Sequence, residues 1–234
     1  MKYFFSSPLR TLQLLREYGA QNYLWSFAVD GKEVQKHAQE SDSIIIDSGA
    51  FSLWNKGKGT IDIDEYIAFC QGLPQSWTFI NLDVIPETGS SKADIERCCG
   101  ESYENFQYIR KRLPESTVMP VYHYGEDMRW LRRYEEEAEF IGISPANDTS
   151  EKVKRRFLAE VFTTWDKQKR FHALGYSSAT GLEIFPFYSV DSISYKRQNI
   201  RSHSPERTIK TNIFLSGSKL SYLQQERIKS MLAM

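Results

Sequence analysis

The sequence predicts an α/β fold, a single-domain (β/α)8 barrel of the TIM type, and three observations carry that expectation. A unit of strand, polar strand end, loop and helix recurs about six or seven times at a spacing of roughly 30 to 40 residues, as successive βα units do. Strand after strand ends in a polar residue or a glycine, whereas an open doubly wound sheet concentrates such ends near one switch point. The 234 residues, 41% apolar and 14% aromatic, suffice for one large core and do not demand two. The barrel is expected over 1–218, with an irregular basic stretch at about 194–218 and a closing amphipathic helix within 219–234 packed on it.

In chain order, Ser7-Pro8 opens a first helix as cap and first-turn proline; Leu9, Leu12, Leu14 and Leu15 give it an apolar face and Gly19 closes it. A strand follows at 22–28 and a polar helix at 30–41. Residues 43–47 hold three consecutive isoleucines and end in Asp47, the pattern of a strand covered on both faces. Ser48-Gly49 then turns the chain, and 54–59 reads as a loop. Asp62 or Asp64 caps a helix to Gly72, and a strand at 77–84 contains Asp83. Helices are expected at 101–112 and 127–137, and strands at 117–123, 139–144, 170–175 and 186–191. Thr149 or Ser150 caps the helix that runs to Trp165.

Formal net charge is zero, and no apolar run is long enough to cross a bilayer. The short apolar stretch at the N-terminus does not suit a secretory signal, so a cytoplasmic location is expected. Cys70, Cys98 and Cys99 form neither a Cys-x-x-Cys pair nor an even disulfide set. Three acids at three strand ends, Asp47, Asp83 and Asp191, would meet His123, His172 and nearby glycines in one pocket, because barrel sites lie at the carboxyl ends of the strands. Each acid also reads singly as a cap for the next helix. The histidines have no metal-ligand spacing, so neither a metal nor a cofactor is expected.

Asp47-Ser48-Gly49-Ala50-Phe51-Ser52 resembles the Asp-Ser-Gly-Gly-Phe-Gln motif of the tRNA-guanine transglycosylases, zinc-dependent TIM barrels that exchange guanine for a 7-deazaguanine. Asn81-Leu82-Asp83, Phe140-Ile141-Gly142-Ile143, Phe171 to Gly175 and Asp191 to Arg197 resemble later strand ends of that family in the same order. Tyr122-His123-Tyr124 stands where the family has a glutamine, and the cysteine-rich zinc subdomain is absent, as in short members from phages and DNA-modification clusters. The resemblance implies a glycosyltransferase (pentosyltransferase) that replaces a guanine-type base in DNA or tRNA, with DNA favoured by the missing subdomain, through an aspartyl-glycosyl intermediate. Asp191 would be the nucleophile and Asp47 the acid/base. Ser48, Gly49, Phe51, Asp83, His123, Gly142, Ile143 and Gly175 would hold the base. Lys56, Lys58, Lys196, Arg197 and Arg201 would hold the nucleic acid. The partners implied are a nucleic acid and a nucleobase of the 7-deazaguanine (queuine) type, with a homodimer left open. Two alternatives stand beside it, a nucleosidase or hydrolase of small nucleosides and a non-catalytic nucleobase- or nucleic-acid-binding barrel.

Overall fold

The computed structural model describes residues 1–39, 42–50, 59–86, 89–145, 149–176 and 178–192. Within them the strands are β1 (Lys2–Ser6), β2 (Asn22–Ser26), β3 (Ser43–Asp47), β4 (Thr78–Ile80), β5 (Thr117–Met119), β6 (Val121–His123), β7 (Phe140–Ser144), β8 (Arg170–Ala173) and β9 (Ser189–Ser192). The helices are α1 (Leu12–Glu17), α2 (Phe27–His37), α3 (Ile63–Gln71), α4 (Lys92–Arg112), α5 (Met128–Glu137), α6 (Glu151–Thr163) and α7 (Ala179–Ile184). Every pairing between strands is parallel.

The sheet order is β5-β4-β3-β2-β1-β9-β8-β7-β6, and its two ends are halves of one stretch of chain interrupted at Pro120. Proline has no N–H to give to a ladder, so it breaks the strand. Before it, Met119 O accepts from Asn81 N–H of the β4 side (2.9 Å), and Pro120 O accepts from Gly142 N–H of β7 (2.8 Å). One bent strand therefore pairs with β4 on one side and β7 on the other, and the sheet curls round to meet itself. Counted this way the expected eight-stranded barrel is present in a single domain.

Alternation along the strands sets up two cores. Phe4, Leu24, Ile45, Ile80, Met119, Val121 and Phe140 pack together inside the barrel. Their neighbours in sequence, among them Tyr3, Phe5, Tyr23, Trp25, Ile44, Ile46, Phe79 and Ile141, pack outward with the helices. Two residues beyond Phe4, Leu24 and Ile45, still on the inner face, come Ser6, Ser26 and Asp47. The barrel interior thus changes from apolar to polar at its carboxyl end.

The structure adds β1, which the sequence reading ran straight into a helix start. Tyr3, Phe4 and Phe5 are buried on both faces, so β1 shows no alternation to read. It also adds α7, and begins α4 at Lys92 rather than 101, where Ser91 and Asp94 form a reciprocal capping box. Asp62 and Ser150 are the caps of α3 and α6. The expected basic stretch and closing helix lie outside the described residues. All three cysteines are free and buried, and no helix among the described residues is long and apolar enough to cross a membrane.

Candidate active site

Asp47 ends β3, directly opposite Ser26 of β2. The turn that follows is dictated by space: Gly49 has φ +85°, and a Cβ there would lie 2.6 Å from both Ser26 Oγ and the Ala28 Cβ. Ser48 is buried and its carbonyl accepts from Ala28 N–H (3.3 Å), which ties the turn to the start of α2. Gly49→Ala is expected to cost about 2 kcal/mol or more, from left-handed backbone strain plus overpacking, read as a lowered denaturation midpoint. Burial pushes the half-buried Asp47 carboxyl up to about 7; the Gly49 N–H opposes this, and the charges of Asp191 and Asp83 add to it. The three acids foreseen at strand ends do share one electrostatic environment.

Asp191 lies in β9 and is held from three sides. Ser6 Oγ–H donates to Oδ2 (2.6 Å), Gly175 N–H donates to Oδ1 (2.8 Å), and His172 Nε2 lies 3.3 Å from Oδ1. Gly175 reaches it with φ +62°. A carboxylate only accepts, so the proton of His172 sits on Nε2 and Nδ1 accepts from Ser189 Oγ–H (2.7 Å). The order Ser189, His172, Asp191 copies the connectivity of a hydrolase triad, but Ser189 and His172 are both 0% exposed. His172 is flanked by the Phe4 and Phe140 rings within the barrel, so this serine meets no substrate, and the chain of bonds orients Asp191 instead.

Asp83 follows β4. Asn81 Nδ2–H donates to its Oδ1 (3.0 Å) and His123 Nε2 lies 3.1 Å from its Oδ2. Burial works to lower the His123 pKa, yet the Asp83 hydrogen bond and the Glu126 charge outweigh it and hold the imidazole at about 9. Glu126 accepts the His123 backbone N–H (3.1 Å) and is itself raised by burial to about 7, with His123 opposing. The sequence reading missed Glu126; its signal was an acid in the turn straight after a strand ending in histidine. The raised His123 contributes stability fully present below about 6.5 and lost as pH rises through about 9. Asp83→Asn is expected to move the His123 titration down from about 9, read from its ring proton shifts by NMR.

The remaining predicted residues divide. Gly142 is packed inside the barrel, where a Cβ would meet Leu174 Cδ1 at 3.0 Å and Val121 Cγ2 at 3.1 Å. The Ile143 side chain is fully buried in the outer core, and both residues spend a backbone group on a neighbouring segment, Gly142 N–H on Pro120 O and Ile143 O on Leu174 N–H. Tyr122 stacks on Phe157 as core; Tyr124 is 45% exposed at the rim. His37 is a surface residue paired with Glu33. Phe51, Lys56, Lys58, Lys196, Arg197 and Arg201 lie outside the described residues. Among the described residues there is no group of three or more His, Cys, Asp or Glu placed to hold a metal, and no lysine ends a strand or stands in the turn after one.

No family model matches the chain. No curated protein matches its sequence. Solved structures do match: "QR15, an Aldolase" has a TM-score of 0.51 and 12% identity, covering 86% of this chain and 96% of that one. A crystal structure named "a putative deoxyribose-phosphate aldolase from Coccidioides immitis" has a TM-score of 0.51 and 9% identity, covering 86% of this chain and 83% of that one. The chain shares its fold with aldolase barrels.

That finding overturns the transglycosylase resemblance. With it fall the glycosyltransferase assignment, base exchange in DNA or tRNA, the queuine and phage DNA-modification context, and the role of Asp191 as a nucleophile at C1′. The nucleosidase and the non-catalytic barrel find no match either. The quoted motif has a local cause: an inner-face acid ends β3, and the backbone at φ +85° beside Ser26 Oγ accepts only glycine. Such a turn reports the geometry of a strand end, and a short motif of this kind arises wherever that geometry is needed.

Proposed function

We propose that the chain is a lyase-type enzyme that makes or breaks a carbon–carbon bond of a small polyhydroxylated carbonyl compound, in the manner of an aldol reaction, with Asp47 as the proton-transferring group. The observation that carries this reading is the Asp47 carboxyl at the barrel mouth with a pKa of about 7, so that near neutrality it is present in both forms. In the cleavage direction, Asp47 carboxylate takes the proton of the hydroxyl beside the scissile bond. The O–H electrons form the C=O of the departing aldehyde, and the C–C electrons pass to the carbonyl fragment as an enolate. Asp47, now protonated, returns the proton to the enolate carbon, and the balance closes without a further reactant.

Asp191, which accepts hydrogen bonds at both oxygens, adds its charge to the rise of the Asp47 pKa that burial begins. The fold neighbours' names support this reaction class.

The test is proton exchange and cleavage by NMR in D2O. The protein is incubated with acetaldehyde, dihydroxyacetone and 2-deoxyribose 5-phosphate, with Asp47→Asn in parallel. Deuterium entering the carbon next to a carbonyl, or acetaldehyde released from the sugar phosphate, is expected with the wild type and lost with the variant. Equal rates with both proteins, or none with either, would overturn the reading.

A further inference from the structure

Ser26 ends β2 on the inner face, two residues beyond the barrel-core Leu24 and in register with Asp47. It is 5% exposed, and its Oγ has no hydrogen-bond partner among the described residues. Other buried serines contrast with it: Ser6 Oγ serves Asp191, Ser102 Oγ serves Val84 N–H, and Ser189 Oγ serves His172. The Ser26 backbone N–H, by contrast, is occupied by Asp30 Oδ2 (3.3 Å). A buried hydroxyl without a partner costs about 1–3 kcal/mol, and such a group in a folded protein calls for a reason.

We propose that Ser26 is a substrate-binding residue whose hydroxyl takes one oxygen of a vicinal hydroxyl or hydroxycarbonyl pair while Asp47 takes the other. This rests on the reading of Asp47 as the proton-transferring group. Neighbouring strands lie about 4.8 Å apart, and side chains opposite each other on one face converge on a single small group. Ser26 both donates and accepts, so it serves a carbonyl or a hydroxyl oxygen equally, while Asp47 handles the proton of its neighbour. Gly49 takes part by lacking a side chain. The position its Cβ would fill lies within 2.6 Å of Ser26 Oγ, so a methyl group there would press directly on the hydroxyl. The Asp-Ser-Gly turn thereby preserves both the acid and the space beside its partner.

The experiment compares wild type with Ser26→Ala in two measurements on the whole chain. In thermal denaturation without ligand, the alanine variant is expected to melt at or above the wild-type temperature, because no group among the described residues bonds the hydroxyl. A lowered melting temperature would overturn the proposal by revealing a structural partner. In titrations with D-ribose, 2-deoxy-D-ribose and glyceraldehyde, followed by NMR shifts, wild type is expected to saturate and Ser26→Ala to bind about tenfold or more weakly. Equal affinity would overturn Ser26 alone, whereas no saturable response of the wild type to any of the three would overturn the polyhydroxy-substrate reading with it.

Discussion

Asp47→Asn is expected to reduce proton exchange and bond cleavage by about 10²- to 10⁴-fold, the range that a positioned general acid–base contributes. The same variant should raise stability at neutral pH. An acid whose folded pKa stands above its unfolded one contributes stability that is complete below the unfolded value, here 3.8, and is lost as pH rises through about 7. The displacement corresponds to about 4 kcal/mol as an upper limit. Denaturant midpoints recorded from about pH 4 to 8 should therefore fall more steeply for wild type than for Asp47→Asn. Loss of activity together with a flatter stability profile assigns both effects to one carboxyl. Lost activity with an unchanged profile would mean that Asp47 is ionised throughout and works in another way.

Asp191→Ala is expected to be the most destabilising single change at the site. It would leave Ser6 Oγ–H, Gly175 N–H and His172 Nε2–H without their acceptor, and each of the two buried donors among them, on Ser6 and His172, costs about 1–3 kcal/mol when orphaned. A loss of about 3 kcal/mol or more in chemical denaturation should follow. Asp191→Asn keeps the shape and an acceptor oxygen for Gly175 and His172, and turns an amide toward Ser6 Oγ, which is able to accept. It should therefore lose far less stability than alanine, while the Asp47 pKa drops because a neighbouring negative charge is gone. The pair of variants separates the hydrogen-bonding role of Asp191 from its charge.

Much of the architecture was legible because strand and helix patterns repeat along the chain, and the acids at strand ends pointed to the candidate site. Asp47, Asp83, His123 and Asp191 were all readable, since an acid or a histidine that ends an apolar run is conspicuous. β1 was hidden by its continuous burial and by the Ser7-Pro8 helix signal beside it, and with β1 went Ser6. The break at Pro120 was hidden because a proline within an apolar run says where a strand is interrupted, not which neighbour each half takes. Ser26 carries no signal at all; its place follows from register with Asp47, a long-range fact. The family resemblance failed for a related reason. Its most specific segment is one that strand-end geometry itself imposes at Gly49.

The proposed chemistry depends above all on Asp47 titrating near neutrality at the mouth of the barrel. Carbon-13 labelling of the aspartate carboxyl groups, with Asp47→Asn to assign the resonance, measures this directly. A midpoint at about 7 is predicted, and a midpoint near the ordinary aspartate value of about 4 would contradict the account.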